Sequence, residues 1–191
     1  MNLNAIFFIG PQGSGKGTQA KILAKKLGFF YWEMGGILRA VAKDKTDLGH
    51  QVKNMIDNGI LLPDETLFQV LESRLLQIGK NQGVIFDGLP RRVGQAEFLM
   101  GFLQKRGRQN FTTLFIDIPK EESLKRLLGR AKGEGRADDT REVIEKRLEQ
   151  YYESTLPVVE YLKKKTHFIE IDGRPPIDEI TKKIDSALKL K

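Results

Sequence analysis

The stretch Gly10-Pro11-Gln12-Gly13-Ser14-Gly15-Lys16-Gly17-Thr18 constrains the fold of this chain more than any other feature. It follows an apolar run, Ala5 to Ile9, and precedes a segment with helical spacing at Ile22, Leu23 and Leu27. A G-x-x-x-x-G-K loop between a strand and a helix turns backbone N–H groups inward around a polyphosphate, and Lys16 then reaches the β and γ phosphates. Thr18 stands one place beyond the Ser/Thr that usually follows the lysine, so its hydroxyl is expected to contact phosphate rather than to ligate Mg²⁺ directly.

Beyond this loop, apolar runs and helical patterns alternate. Gly28 ends the first helix, and Phe29 to Trp32 reads as a second strand. Helical patterns follow near Ile37 to Ala42, Leu48 to Ile56 and Asp64 to Leu76. A third strand, Val84 to Phe86, stops at Asp87 and the turn residues Gly88 and Pro90. A helix around Gln95 to Gln104, a strand Thr113 to Ile118 and a helix Glu121 to Leu128 lead to a Gly/Arg-rich loop, Gly129 to Arg136. Asp138 or Asp139 is expected to cap a long helix, about Thr140 to Lys164, bent at Pro157. A strand His167 to Ile171 and a helix with Pro176 in its first turn close the chain. Five strands alternating with helices predict a parallel sheet covered on both faces, with ligands at the carboxyl ends of the strands. Gly10, Asp87 and Asp117 all fall at such ends.

Composition narrows the function classes. A length of 191 residues, 40% hydrophobic and 30% charged, predicts one soluble domain without linker or repeat. The longest apolar run has five residues, too short for a membrane span or a signal peptide, so the chain is expected to remain in the cytoplasm. Zero cysteines exclude thiolate metal sites and cysteine nucleophiles, and two isolated histidines cannot form a metal cluster, which leaves oxygen ligands for any metal. A net charge of +7 points to an anionic partner. Lys163 to Lys165 and Lys105 to Arg108 read as solvated helix ends. Asp87, at a strand end beside the glycine loop, suits a Mg²⁺ ion or its waters, and Arg91 and Arg92 close by suit phosphoryl oxygens.

Three segments, Gly10 to Gln19, Phe86-Asp87-Gly88-Leu89-Pro90-Arg91 and Gly135-Arg136-Ala137-Asp138-Asp139, resemble the signature segments of adenylate kinases and occur in that family's order. The resemblance covers essentially the whole chain, and Gly129 to Arg136 is similar to the short-lid form that lacks a zinc-binding insertion. It implies an α/β fold of the P-loop NTPase type, with a five-stranded parallel sheet flanked by helices. Residues 1–191 would form a single nucleoside monophosphate kinase domain, with a helical AMP-binding arm at about 34–63 and a short lid at about 129–138. The implied reaction is reversible transfer of the ATP γ-phosphoryl group to AMP, giving two ADP. Mg²⁺ would accompany ATP, zinc would be absent, and a monomer without nucleic-acid or membrane partners is expected.

Site residues carry over one at a time. Gly13, Ser14, Gly15, Lys16, Gly17 and Thr18, with Arg126 and Arg130 four apart on one helical face, resemble the ATP site. Gly35, Arg39, Leu62, Gly88, Arg91, Gln95, Arg136 and Arg147 resemble the AMP site, with Arg39 on the phosphate and Gln95 on the adenine. Lys16, Arg91, Arg136 and Arg147 would carry catalysis, Asp87 would hold Mg²⁺ through water, and Asp138 and Asp139 resemble the lid-closing pair.

The chain departs from the family at three places. Tyr31 to Arg39 occupies the position of a segment similar to H-L-S-T-G-D-L-L-R, so Met34 replaces Thr and Gly36 replaces Asp, while Leu89 replaces Phe conservatively. Met34 is expected to fill a gap in the packing, and Trp32, the only tryptophan, to lie in the core. Glu33 is expected to face solvent or the start of the following helix, with the alternative that it enters the space of the missing carboxylate. Gln95 favours AMP over the acceptors of UMP/CMP kinases, whereas Met34 and Gly36 are what a nucleotide-binding regulator or assembly factor with weak turnover would show.

Overall fold

Every residue of β1 (Ala5–Ile9) is buried, because the strand is covered on both faces. Its side chains divide by parity: Phe7 and Ile9 join one apolar cluster, Ile6 and Phe8 the other. The computed structural model describes residues 4–76, 78–79, 82–134 and 140–190. Its elements continue as α1 (Lys16–Leu27), β2 (Phe30–Glu33), α2 (Met34–Val41), α3 (Asp47–Asp57), α4 (Asp64–Leu75), β3 (Val84–Asp87) and α5 (Val93–Lys105). Then come β4 (Phe111–Asp117), α6 (Lys120–Glu134), α7 (Arg141–Gln150), α8 (Leu156–Lys165), β5 (His167–Asp172) and α9 (Ile177–Ala187).

The strands form one parallel sheet in the order β2-β3-β1-β4-β5. The order reverses direction beside β1, which places the β1–α1 loop at the crevice where such sheets bind ligands. Register aligns the functional ends: Phe8 faces Asp87 across β1 and β3, and Glu33 faces Asp87 across β2 and β3. One core face packs Trp32, Met34 and Phe86 with α4, α5 and α8, and the other packs β1 and β4 against α1 and α9. Among the described residues no helix is long and apolar enough to cross a membrane.

Five expectations are corrected. Helix α6 runs through Gly129 to Glu134, where a loop was predicted, because Leu127 packs on Ile144 and Leu148 of α7 with Leu124 and Leu128 beside it. Thr140, not Asp138 or Asp139, caps α7, its hydroxyl accepting from the Val143 N–H at 3.4 Å; both aspartates lie outside the described residues. The break in the long helix is a π-helical segment, Tyr151–Thr155, rather than a bend at Pro157. Pro157 falls in the first turn of α8, where a missing N–H costs nothing, and Pro176 is the N-cap of α9 rather than within its first turn. Lys105 to Arg108 is not a solvated end: Arg108 is 3% exposed and donates to the carbonyls of Gly79 and Gln82, and Arg106 donates to Ile78. Apart from these, strand and helix ends shift by one to three residues, the largest at the start of α2.

Candidate active site

The β1–α1 loop folds as a cradle because two close approaches admit no side chain. A Cβ at Gly10 would collide with the Ile116 carbonyl, and one at Gly17 would lie 2.9 Å from Asp87 Oδ2. No side chain caps α1, so the N–H groups of its first turn stay available to an anion. Lys16 arches back over the loop, its Nζ donating to the Pro11 carbonyl at 3.1 Å. Burial pushes the Lys16 amine down to about 8, Asp87 pulling it up and Arg91 and Arg130 lowering it further. A bound polyphosphate would reverse that shift.

Asp87, 9% exposed at the end of β3, accepts a hydrogen bond from Tyr31 Oη at 2.9 Å. Burial raises the Tyr31 phenol, the Asp87 charge and hydrogen bond raise it further, and Glu33 adds to them, so Tyr31 is a proton donor at working pH. After β3, the Arg91 N–H donates to Gln95 Oε1 at 2.8 Å and Arg91 Nε to the Gly88 carbonyl at 2.9 Å. Gln95 Nε2 donates to Asp64 Oδ1 at 2.8 Å. Both ends of this buried amide are engaged, yet each keeps one N–H or one lone pair for a ligand edge. Burial also lowers the Arg91 pKa, Arg147 adds to this, and Asp87 opposes it.

On the opposite wall, Arg39 Nη2 meets Glu33 Oε1 at 2.9 Å, and Lys21 Nζ lies 3.7 Å from Glu33 Oε2. Glu33 stands over Gly36: a Cβ there would come 3.4 Å from Glu33 Cδ. Glu33 is the N-cap of α2, so its carboxylate lies at the start of that helix, the first of the two placements expected for it, and beside the position from which a carboxylate at 36 would extend. Met34 and Trp32 are each 2% exposed in the core.

One open cleft of about 220 Å³ gathers these groups. Gly13, Lys16, Gly35, Arg39, Leu62, Asp87, Gly88, Arg91, Gln95, Arg130 and Arg147 line it. Ser14 and Gly15 belong to the loop and Gly17 and Thr18 to the first turn of α1, none of them in the lining, and Ser14 is wholly buried. Arg126 does not line the cleft but lies against its glycine loop, its guanidinium bridging Glu122 at 2.6 Å to the carbonyls of Gly13 at 3.5 Å, Gly173 at 2.9 Å and Arg174 at 3.2 Å. Arg136, Asp138 and Asp139 lie outside the described residues. Among the described residues no group of three or more His, Cys, Asp or Glu is placed to hold a metal ion.

Several lining residues were not legible as site residues. Gln12 Nε2 donates to the Arg147 carbonyl at 3.3 Å, and Gln150 Oε1 accepts from the Leu61 N–H at 3.1 Å, so α7 is tied to the glycine loop and to the segment after α3. Tyr151 and Thr155 face the cleft from the π-helical segment. Alternation along β2 could have paired Tyr31 with Glu33 on one sheet face; nothing in the sequence marks Gln12 or Gln150.

Chemically, a row of cations faces a glycine cradle, which suits two phosphorylated ligands meeting end to end. Related sequences agree with that geometry. The family model for adenylate kinase matches residues 8–167. The chain is 41% identical over 187 residues to an adenylate kinase of Phocaeicola vulgatus, with 98% of each chain covered. It is 41% identical to adenylate kinases of Stenotrophomonas maltophilia strain K279a, covering 96% of this chain and 98% of that one, and of Bacteroides fragilis strain ATCC 25285, covering 97% and 98%. Matched by the family model over most of its length and about 40% identical to these relatives from end to end, the chain belongs to the adenylate kinase family.

Proposed function

We propose that the cleft transfers the γ-phosphoryl group of ATP, seated on the Gly10 to Thr18 loop, to the phosphate of AMP held by Arg39 and Arg91, in a reversible reaction yielding two ADP. Family membership makes the protein an ATP:AMP phosphotransferase, a nucleoside monophosphate kinase. The observation that carries the residue assignment is the convergence of Lys16, Arg39, Arg91, Arg130 and Arg147 on one cleft whose floor is the glycine loop.

In this reading Lys16 follows the transferring phosphoryl group, and Arg91, Arg130 and Arg147 stabilise charge on its oxygens, with Arg136 joining them from the lid. Phosphoryl transfer needs positioning and charge stabilisation rather than a protein nucleophile, and one such arginine contributes about 10³ to 10⁵ in rate in the best-studied systems. Gln95 offers its spare donor and acceptor to the adenine of AMP. Residues 34–63 serve as the AMP-binding arm and 129–138 as the lid, with Asp138 and Asp139 closing it and Arg126 serving the ATP site with Arg130.

Asp87 suits a hard cation held through water: an oxygen donor, nearly buried, beside the loop that would carry the phosphates, with one oxygen fixed by Tyr31. Mg²⁺ bound with ATP supplies further charge neutralisation at the β and γ oxygens. Lys16, Asp87 and Arg91 orient the groups around it.

A panel of AMP, CMP, UMP and GMP with Mg-ATP, read as nucleoside diphosphate formed, tests the proposal. AMP is expected to give the highest kcat/KM. A higher value for CMP or UMP would overturn the base assignment, and absence of transfer to any acceptor would overturn the reaction.

A further inference from the structure

We propose that Tyr31 is a positioning residue for the phosphoryl-transfer site: its hydroxyl fixes the Asp87 carboxylate so that one oxygen is locked away and the other is presented toward the cation carried by ATP. The proposal rests on the reading of Asp87 given above.

The geometry begins in the sheet. Tyr31 is the register partner of Ile85, and Glu33 that of Asp87, so Tyr31 reaches Asp87 along one sheet face, one residue pair further on. Only a long side chain with a polar tip spans that diagonal, and Tyr31 Oη arrives 2.9 Å from Asp87 Oδ2. The same oxygen also lies against the first turn of α1: it would be 2.9 Å from a Cβ at position 17, where the chain has glycine, and Tyr31 Oη would be 3.9 Å from that point. Oδ2 is therefore engaged by the phenol and crowded by the first turn of α1. A carboxylate has two oxygens, and Asp87 lines the cleft, so in this proposal the second oxygen is the one offered to the cation.

Tyr31 is itself restrained. It is part of the apolar packing around the second core face, and the Lys21 ammonium lies 5.7 Å from its ring centroid. This matters because the chain has glycine at 36, and the other carboxylate lining the cleft, Glu33, is paired with Arg39 and Lys21. With Glu33 engaged by cations, the orientation of Asp87 carries more of the effect on the cation's waters. Partners that orient a metal-binding carboxylate typically change metal affinity by about 10 to 100-fold when it binds directly. For a cation held through water the expected effect is smaller, about 3 to 10-fold.

Diadenosine pentaphosphate, which spans both nucleotide sites, provides a test that needs no turnover. Its dissociation constant is measured by calorimetry with and without Mg²⁺ for the full-length wild type, Tyr31→Phe, Asp87→Asn and the double variant. Tyr31→Phe is expected to lose about 3 to 10-fold of the Mg²⁺-dependent gain in affinity, with metal-free binding within about twofold of wild type. Asp87→Asn is expected to lose at least as much, and the double variant no more than Asp87→Asn. An unchanged gain in Tyr31→Phe with a lost gain in Asp87→Asn makes the phenol merely structural and overturns the proposal. An unchanged gain in Asp87→Asn overturns the Asp87 reading, and this proposal with it. Should Tyr31→Phe fail to fold, Tyr31→Gln, which keeps a donor, is compared with Tyr31→Leu, which has none. A larger gain in the glutamine variant supports the proposal, and equal gains overturn it.

Discussion

Glu33 Oε1 lies 2.9 Å from Arg39 Nη2, so the arginine assigned to the AMP phosphate already has an anionic partner. Their side chains are 34% and 40% exposed, and ion pairs that wet contribute about 0 to 1 kcal/mol. A dianionic phosphate displaces such a partner at little cost. Removing it with Glu33→Gln is expected to lower the KM for AMP by at most about fivefold. Arg39→Ala is expected to raise that KM by about 10 to 100-fold with the KM for ATP little changed, since hydrogen bonds to charged groups contribute about 1.5 to 3 kcal/mol. A weaker AMP affinity in Glu33→Gln would instead make Glu33 the support that aims Arg39.

Lys16→Met is expected to remove most transfer while leaving a folded and slightly more stable protein. The Lys16 amine titrates near 8 in the fold against 10.5 for the free side chain. Between those values the unfolded chain binds more protons, so the lysine makes stability rise with pH there, and its charged form burdens the fold at neutral pH. The variant should melt a few degrees higher at pH 7, about 1 kcal/mol corresponding to roughly 2 to 4 °C in a domain of this size. The difference between the two proteins should close as pH rises from about 8 to 10.5. Scanning calorimetry across that window, with an ADP-forming assay on the same samples, checks both parts. Near-native turnover in the folded variant would refute the role of Lys16.

Arg108→Met should cost about 2 kcal/mol of stability, because the Gly79 and Gln82 carbonyls lose their donor inside a buried site. Arg108 precedes β4, at the opposite end of the sheet from the cleft. Urea unfolding should show the loss, and kcat/KM for AMP should stay within about twofold of wild type. A large kinetic defect without a stability change would contradict this structural role.

Those outcomes also mark what could be read from sequence. The sheet was legible because Ala5 to Ile9 and Val84 to Phe86 are apolar runs that end at turn residues, and such runs have few ways to be buried. The glycine loop was legible because its spacing has a single mechanical use. Arg106 and Arg108 were misread because charge density along the chain does not reveal which guanidinium finds carbonyls across 28 or 29 residues. The glycines near 129 signalled a loop, yet Leu124, Leu127 and Leu128 packing around α7 outweighs the roughly 1 kcal/mol that a helical glycine costs. Tyr31 and Gln12 act through partners 56 and 135 positions away, and single-residue patterns carry no such information.

Gly36→Asp is the most informative substitution, because the structure changes what the sequence alone would predict for it. By resemblance, an aspartate at 36 would restore a carboxylate near the cation. Helix α2 has no acidic residue in its first turn, so an aspartate there gains about 0.3 to 1 kcal/mol from the helix dipole and about 0.5 kcal/mol from replacing glycine. Glu33 opposes this: its carboxylate oxygens lie 3.5 and 3.6 Å from the position the new Cβ would take. A carboxylate carried on that Cβ would be a near neighbour of the Glu33 carboxylate, and like charges a few ångströms apart in partly wet surroundings repel by on the order of 1 kcal/mol. The single variant is therefore expected to have nearly unchanged stability and no lower Mg²⁺ requirement. Glu33→Ser with Gly36→Asp removes the repulsion and keeps the gains, so the double variant should melt higher than either single one. It should also reach half-maximal activity at a few-fold lower Mg²⁺, a coupling of about 1 kcal/mol between neighbouring sites. Additive effects across the four proteins in melting temperature and Mg²⁺ titration would show that Glu33 does not act on a carboxylate at 36.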